Sequence, residues 1–358
     1  MAATVSTLTS NLTAPVNFVL MRGLLNAARK RLPYFNGTLP GTLEKSQGSA
    51  SVKWRRIENM TAATTALSEV TGTAAAFLGR SAVQPTITDL TVAMAKYGNA
   101  ILTTEEVDLY NVNSKTAQLM DTLGANAGES INTLMRDIFD GATTIVRYAS
   151  GVASDSLVTA AMTLNDIKYS VNQLNRNSAM HFTPMGNGST NIGTSPIRSG
   201  YYGITHPDVE EDIRDLTGFI PVEQYGGYTS TEPYEFGSVG GVRWCSTEIS
   251  TIDLGASGLS NNALRMTSGD VDVYSSFIYG KEAVGSVGLG NMHATTSSEM
   301  YNPRKPPAVE LIVHQPGSSG IFDMYNEMGS IAWKAFFAGK ILNGNWIAKV
   351  RTGASVLT

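Results

Sequence analysis

The longest regular pattern of apolar residues along the chain has the spacing of one helical face. Asn113 or Ser114 can cap the start of such a helix. Apolar residues then recur every three or four positions, at Leu119, Leu123, Ala127, Ile131, Leu134, Ile138, Ala142 and Ile145. One face of an amphipathic helix has this spacing. We therefore predict a single helix over 113–148, about 50 Å long at 1.5 Å per residue.

Two segments before this helix alternate apolar and polar residues, as strands do. Ser51–Glu58 is the first, and Ile87–Leu102 is the second. The segment 59–86 between them is rich in Ala, Thr, Ser and Gly. A structureless loop of this length is unusual inside a compact domain. We therefore predict a long antiparallel hairpin that projects from the body of the protein.

After the long helix, the pattern changes from mixed helices and strands to strands alone. The predicted helices are Leu164–Asn175 and Asp208–Leu216, and Ser199–Thr205 between them has the composition of a buried strand. Short glycine-rich strands follow. From residue 308 onwards the predicted strands are Val309–His314, Ile331–Leu342 and Trp346–Arg351. We interpret 155–300 as one α/β lobe and 301–358 as a return to the lobe that contains the long helix.

The first 47 residues have the character of an arm. Val16–Leu32 is amphipathic and ends in three basic residues, and Pro33 and Pro40 prevent its continuation as a helix. A basic amphipathic helix can bind a membrane or an anionic polymer. We favour the other interpretation, in which the arm packs against a neighbouring subunit.

Composition points to a surface that is largely covered. The chain has 358 residues, long enough for two lobes, but only 16% of them are charged. Soluble domains average about 25%. A protein that is surrounded by copies of itself needs less charge for solubility. The net charge of −4 argues against a dedicated nucleic-acid binder.

Few residues offer chemistry for a metal or a covalent site. Cys245 is the single cysteine, so no intramolecular disulfide forms, and we expect it to be a buried thiol. His181, His206, His293 and His314 are widely spaced, which argues against zinc. No cofactor motif is present. The polar start of the chain and the absence of a long apolar run predict a cytoplasmic protein without a membrane span.

One acidic cluster leaves a catalytic alternative open. Asp208, Glu210, Glu211 and Asp212 follow His206 closely. A soluble hydrolase would need some of these groups to converge in a pocket. Acidic residues are also usual in the first turn of a solvated helix, and we favour that interpretation.

Four segments resemble recurring segments of a known capsid family. They are Tyr97–Glu105 (YGNAILTTE), Tyr202–Asp215 (YGITHPDVEEDIRD), Gly237–Glu248 (GSVGGVRWCSTE) and Ile278–Gly285 (IYGKEAVG). In this order they are similar to segments of the coliphage N-four branch of tailed-phage major capsid proteins. The predicted elements also resemble the Hong-Kong-97 fold.

The resemblance implies an α+β Hong-Kong-97-type capsid fold for the whole chain. Its parts would be an N-terminal arm at 1–47, an extended E-loop hairpin with its base strands at 48–104, a P-domain at 105–154 with the spine helix 113–148, an α/β A-domain at 155–300, and C-terminal strands at 301–358 that complete the P-domain. Such proteins form hexamers and pentamers that tile an icosahedral shell around double-stranded DNA. Portal, scaffolding and decoration proteins would be the other partners, and no cofactor, metal or catalysis is implied. An encapsulin-type compartment is the alternative within the same fold.

The hairpin supplies the candidate contact residues. We expect Glu69 and Arg80 near its tip, and Trp54, Arg55 and Arg56 near its base, to contact a neighbouring subunit. Arg beside an aromatic residue also suits stacking on nucleic acid, which is the alternative for the base residues. Some relatives join subunits by a Lys–Asn isopeptide bond from this hairpin. No lysine lies between Lys53 and Lys96, so we do not expect that crosslink here.

Overall fold

The structure is a computed structural model that describes residues 33–35, 37–41, 50–58, 60–64, 84–109, 115–182, 200–225, 234–288, 309–314, 325 and 327–357. The strands, in chain order, are β1 (Leu39–Gly41), β2 (Ser51–Ile57), β3 (Ile87–Ala93), β4 (Ala95–Thr104), β5 (Ile145–Tyr148), β6 (Tyr201–Thr205), β7 (Ile220–Pro221), β8 (Glu235–Val239), β9 (Val242–Ser246), β10 (Ile252–Asp253), β11 (Met266–Thr267), β12 (Asp270–Val271), β13 (Val273–Tyr279), β14 (Val284–Gly288), β15 (Val309–His314), β16 (Met328–Ile341) and β17 (Ile347–Thr352). The helices are α1 (Glu105–Leu109), α2 (Lys115–Asp140), α3 (Leu164–Arg176) and α4 (Pro207–Arg214).

The smaller of the two main sheets is built around the long strand β16. Residues 330–335 of β16 have an antiparallel partner in both β4 and β15, which therefore flank it on opposite sides. The last third of β16 pairs with β14, and β1 adds to β14 in parallel. Helix α2 crosses one face of this sheet. Its residues Leu123, Ala127 and Ile131 pack against a cluster that includes Ile331 and Trp333, as the apolar spacing predicts.

The long helix is shorter than the sequence predicts. Helix α2 ends at Asp140 rather than at 148, and Ile145–Tyr148 form strand β5 in parallel with β17. Ile145 fits the helical spacing, but Gly141 weakens the helix and β-branched residues favour a strand. The predicted capping residues Asn113 and Ser114, like the predicted arm helix Val16–Leu32, lie outside the described residues.

The larger sheet has the strand order β5-β17-β13-β6-β9-β8-β7, with β10 added to β13. Helices α3 and α4 supply apolar residues to its main core: Ile167 and Leu174 from α3 and Val209 and Ile213 from α4 are all buried, together with Trp244 of β9. Thr163 caps α3 by accepting a hydrogen bond from the Asp166 amide. The predicted helix, strand and helix order over 164–216 is confirmed.

Besides β5, which joins the larger sheet, two strands depart from the predicted lobes. Strand β17 pairs with β13 in the larger sheet, although 301–358 was expected to complete the lobe of the long helix. Strand β14 pairs with β16 in the smaller sheet, although 155–300 was expected to form one lobe. Both differences arise from pairings between distant segments, which local patterns do not encode. The division into capsid domains remains a prediction.

Candidate assembly surfaces

Strands β2 and β3 form the base of the predicted hairpin. They pair antiparallel over seven residues, with Val52 opposite Val92, Trp54 opposite Leu90 and Ile57 opposite Ile87. The Glu58 amide donates to the Thr86 carbonyl 2.9 Å away, so the pairing continues one step towards the tip. We call this two-stranded element the ribbon. It forms a sheet separate from the two main sheets.

The inner face of the ribbon is anchored to its own subunit by Trp54. Val52, Trp54 and Val92 pack against Val287 and Ala338 of the smaller sheet. Side chains alternate along a strand, and Ile331 and Trp333 face α2, so Ala338 faces the opposite side. The ribbon base therefore covers the face of the smaller sheet that α2 does not cover.

The indole of Trp54 needs glycines beneath it. A Cβ at Gly41 would lie 2.7 Å from Trp54 Cζ2, and one at Gly285 would lie 2.8 Å from the same atom. Arg56, on the same face, pairs with Glu58 and donates to the Leu342 carbonyl at 2.7 Å. Trp54 and Arg56 thus make contacts within the subunit. Their predicted role between subunits remains a prediction.

The outer face of the ribbon carries a three-residue ion cluster. Asp89 Oδ2 lies 2.6 Å from Lys53 Nζ, and Asp89 Oδ1 lies 2.9 Å from Arg55 Nε. Hydrogen bonds from Arg55 and then from Lys53 lower the pKa of Asp89 from 3.8 to about 2. With two cations on one carboxylate, this face has a net charge of about +1. Arg55 is a contact candidate from the sequence and Asp89 is not, because only the cross-strand register places Asp89 opposite Arg55.

An apolar pair completes the outer face at the end nearest the tip. Ile57 and Ile87 lie opposite each other and are 63% and 50% exposed. Met60, just beyond them, is 54% exposed. Large apolar side chains grouped on a charged surface are characteristic of contact sites. Glu69 and Arg80, the candidates nearer the tip, lie outside the described residues.

A second surface is the part of the smaller sheet beyond the ribbon base. By alternation, Ala332, Lys334 and Phe336 of β16 share the face of Ala338, and Ala100 and Leu102 of β4 extend it. Leu102 is 71% exposed. Lys334 pairs with Glu310 on β15 across this face, with 3.1 Å between Nζ and Oε2. Lys96, opposite Phe336, and His314, opposite Ser330, also lie on this face, and the rest of it is small or apolar. We call this surface the open sheet face.

Among the described residues, the carboxylates of the acidic cluster near His206 have separate partners. Asp208 pairs with Arg265 at 3.1 Å, and Glu210 pairs with Arg214 one turn away at 2.6 Å. Asp212 accepts a hydrogen bond from the Ser355 amide. These carboxylates therefore point to different partners, as on an ordinary helix start. In the part of the chain that the structure describes, no three metal-ligating side chains come together.

Other sequence expectations concern buried groups. Cys245 is 1% exposed in strand β9, as expected of a buried thiol. The buried pair of Glu235 and Arg243 was not predicted, since β8 and β9 read only as short strands. None of the described helices is long and apolar enough to cross a bilayer.

Sequence comparisons find no relatives, whereas structural comparisons find many. No protein-family model matches the chain, and no curated protein matches it. The capsid of Ralstonia phage GP4 aligns with a TM-score of 0.59 at 10% identity, covering 92% of this chain and 93% of the other. The head structure of Helicobacter pylori bacteriophage KHP40 aligns at 0.54 and 10% identity, covering 89% and 87%. The capsid of Cyanophage P-SCSP1u aligns at 0.51 and 12% identity, covering 89% and 87%.

These alignments cover most of both chains, so the similarity concerns the whole fold rather than one motif. Identity near one residue in ten explains why sequence models find nothing. The prediction of an α+β capsid fold is confirmed: the chain has the Hong-Kong-97-type fold of phage major capsid proteins.

Proposed function

We propose that this protein is the major capsid protein of a tailed bacteriophage, and that it self-assembles as hexamers and pentamers into an icosahedral shell around double-stranded DNA. The observation that carries the proposal is the alignment with phage capsids over about nine-tenths of the chain. Under this proposal the protein acts as a structural subunit and catalyses no reaction. It assembles in the host cytoplasm and then resides in the virion capsid.

The ribbon and the open sheet face support the mode of assembly. The inner face of the ribbon is covered by its own subunit, and its exposed outer face gains stability when another surface covers it, because a two-stranded element alone is marginal in water. Its outer face offers exposed Ile57 and Ile87, and the open sheet face offers exposed Leu102. We infer that the ribbon of one copy lies over the open sheet face of the next. Many such contacts, each weak, together stabilise a closed shell.

The other partners follow from the shell proposal. A tailed-phage shell needs a portal for DNA entry and a scaffolding protein for assembly, and it can carry decoration proteins on its outside. DNA inside the shell is enclosed without sequence-specific binding, consistent with the net charge of −4.

The proposal predicts particles in the purified protein. Negative-stain images together with size-exclusion chromatography should show shells or capsomers. A compact monomer of 38.1 kDa under every assembly condition, with scaffolding protein supplied, would contradict the proposal.

A second experiment tests the role of the hairpin. Replacing residues 59–85 by an Asn-Gly turn keeps the Glu58 amide close to the Thr86 carbonyl and closes the ribbon. We expect this variant to fold with an unchanged thermal midpoint and to form no shells. The control replaces residues 59–85 by a Gly-Ser segment of the same length, which keeps the length of the hairpin but removes its native side chains. Intact shells from the shortened variant would refute the role assigned to the hairpin.

A point variant tests the apolar pair. Ile57→Ser with Ile87→Ser should lower the yield of assembled particles. Folding should remain intact, because each side chain is at least half exposed in the single subunit. Met180→Ser, at a similarly exposed position away from the ribbon, is the matched control.

A further inference from the structure

The start of helix α4 is capped by a histidine. His206 is the last residue before Pro207, and its Nδ1 accepts a hydrogen bond from the Asp208 amide at 3.1 Å. A nitrogen that accepts an amide proton carries no proton itself, so the neutral ring holds its proton on Nε2. Asn, Asp, Ser and Thr are the usual caps, and they retain their acceptor oxygen near neutral pH. A histidine cap loses its acceptor when it binds a proton.

The Asp208 side chain lies beside this cap and joins three elements. Its Oδ2 lies 3.3 Å from His206 Nδ1 and accepts a hydrogen bond from the Tyr274 hydroxyl of β13 at 2.9 Å. Its Oδ1 lies 3.1 Å from Arg265 Nη2, in the loop before β11. The His206 ring packs on the Tyr274 ring, with 5.3 Å between their centroids.

Helix α4 and the loop before β11 contact the C-terminal segment 354–356, the loop also through a Leu264–Ser355 bridge and a hydrogen bond from the Val356 amide to the Ala263 carbonyl. The Arg265 amide donates to the Ala354 carbonyl at 2.8 Å. The Ser355 amide donates to Asp212 Oδ2 of α4 at 3.0 Å. Residues 354 and 355 therefore contact both helix α4 and the loop that contains Arg265. The Asp208–Arg265 ion pair connects this helix to this loop.

The groups around His206 have opposing effects on the pKa of its imidazole. Burial is the main cause that lowers the pKa of the imidazole from 6.5. Asp208 and Glu248 raise the pKa, and Arg265 lowers it. Burial also raises the pKa of the Tyr274 phenol, which stays a donor throughout this range. Because the folded-state pKa lies below the unfolded one, stabilisation by the neutral cap is complete above pH 6.5 and decreases as pH falls below it.

We propose that His206 is a pH-sensitive latch that releases the C-terminal segment from helix α4 when it takes up a proton. The added proton occupies the Nδ1 lone pair, so the Asp208 amide loses its acceptor. The imidazolium then donates to Asp208 Oδ2, in competition with Arg265 and Tyr274. The start of α4 loosens, and with it the contacts that hold Ala354 and Ser355. The latch belongs to one chain, so its test does not depend on shell assembly.

Amide hydrogen exchange on the full chain tests the latch. Protection factors, which correct for the intrinsic pH dependence of exchange, are compared at pH 7.5 and pH 5 for the amides of Asp208 and Ser355. Loss of a helix cap predicts a fall of about five- to tenfold at Asp208. A smaller fall in the same direction is expected at Ser355.

Three variants separate the latch from general acid sensitivity. His206→Asn keeps an acceptor that does not titrate, so protection should be high at both pH values. His206→Phe keeps a ring beside Tyr274 but no acceptor, so protection should be low at both. His181→Asn, which removes a histidine that packs on Tyr201, should behave as the native protein. An equal fall in His206→Asn, or no fall in the native protein, would overturn the proposal.

Discussion

Gly203 of β6 lies opposite Trp244 of β9, and the indole fills the space that a side chain at position 203 would need. A Cβ there would lie 2.5 Å from Trp244 Cε3, and the indole is fully buried. The two strands are parallel neighbours near the centre of the larger sheet. The absence of a side chain at 203 therefore decides how closely Trp244 packs.

Gly203→Ala should destabilise the subunit, because the new methyl group overlaps the indole. The expected loss is about 1–3 kcal/mol in the free energy of unfolding, as for other overpacked cores. Urea denaturation of the unassembled subunit measures it. Trp244→Leu in the same background should make the loss smaller than the sum of the two single changes. Strict additivity would mean that the two residues do not compete for space.

Arg243→Met should lower the free energy of unfolding by more than the removal of an exposed charge does. Arg243 and Glu235 form two hydrogen bonds, of 2.7 and 2.5 Å, and their side chains are 4% and 0% exposed. Removing the arginine leaves a buried carboxylate, with an expected loss of about 3–5 kcal/mol. Denaturant unfolding checks this value.

Two controls accompany the Arg243 variant. Arg55→Met on the outer face of the ribbon removes an exposed pair and should leave unfolding unchanged within error. Glu235→Gln combined with Arg243→Met removes the buried Glu235 carboxylate charge and should recover part of the lost free energy of unfolding. If the double variant is no more stable than Arg243→Met, the buried charge is not the cause.

The sequence predicted well where local periodicity decides the structure. Leu123, Ala127 and Ile131 recur at helical spacing, and they do face the smaller sheet. The predictions were wrong where pairing with a strand that is distant in sequence determines the structure. Ile145 continues the helical spacing, yet its position is fixed by pairing with Ala348, about 200 residues later. The same holds for β14, whose partner β16 follows a long intervening segment.

The candidate contact residues show the same limit. The alternation in Ser51–Glu58 predicted a strand, and strand β2 has Trp54 and Arg55 on opposite faces. Alternation alone does not show that Trp54 packs over Gly41 and Gly285 of its own subunit, because neither glycine is near it in sequence. Nor does it identify Asp89 as the partner of Arg55.

Asp89 should titrate far below an ordinary aspartate. Its pKa is lowered to about 2 by Arg55 and Lys53, so the ion cluster holds at pH 4 and is lost only as pH falls through about 2. The small stabilisation that this exposed, screened cluster gives is complete above 3.8, the unfolded-state value, and is lost as pH falls through about 2. An NMR titration that follows the 13C chemical shift of the Asp89 side-chain carboxyl measures this pKa. In Lys53→Gln with Arg55→Gln the value should return towards 3.8, whereas Arg56→Gln should leave it unchanged.

Asn126 joins α2 to the smaller sheet through Trp333. Its Oδ1 accepts hydrogen bonds from Trp333 Nε1 at 3.1 Å and from Asn99 Nδ2 at 3.3 Å, and Trp333 is 2% exposed. Asn126→Ala leaves a buried indole N–H without its acceptor, at an expected cost of about 1–3 kcal/mol. Unfolding of the free subunit, followed by tryptophan fluorescence, measures the change.

The matched variants for Asn126 test whether the indole hydrogen bond is the cause. Asn126→Asp keeps an acceptor oxygen at the same position and should cost less than Asn126→Ala. In a Trp333→Phe background the donor is absent, so Asn126→Ala should cost only what the weaker bond to Asn99 provides. An undiminished cost in that background would show that Asn126 stabilises helix α2 by other contacts, and the link between α2 and β16 would have to be assigned to apolar packing alone.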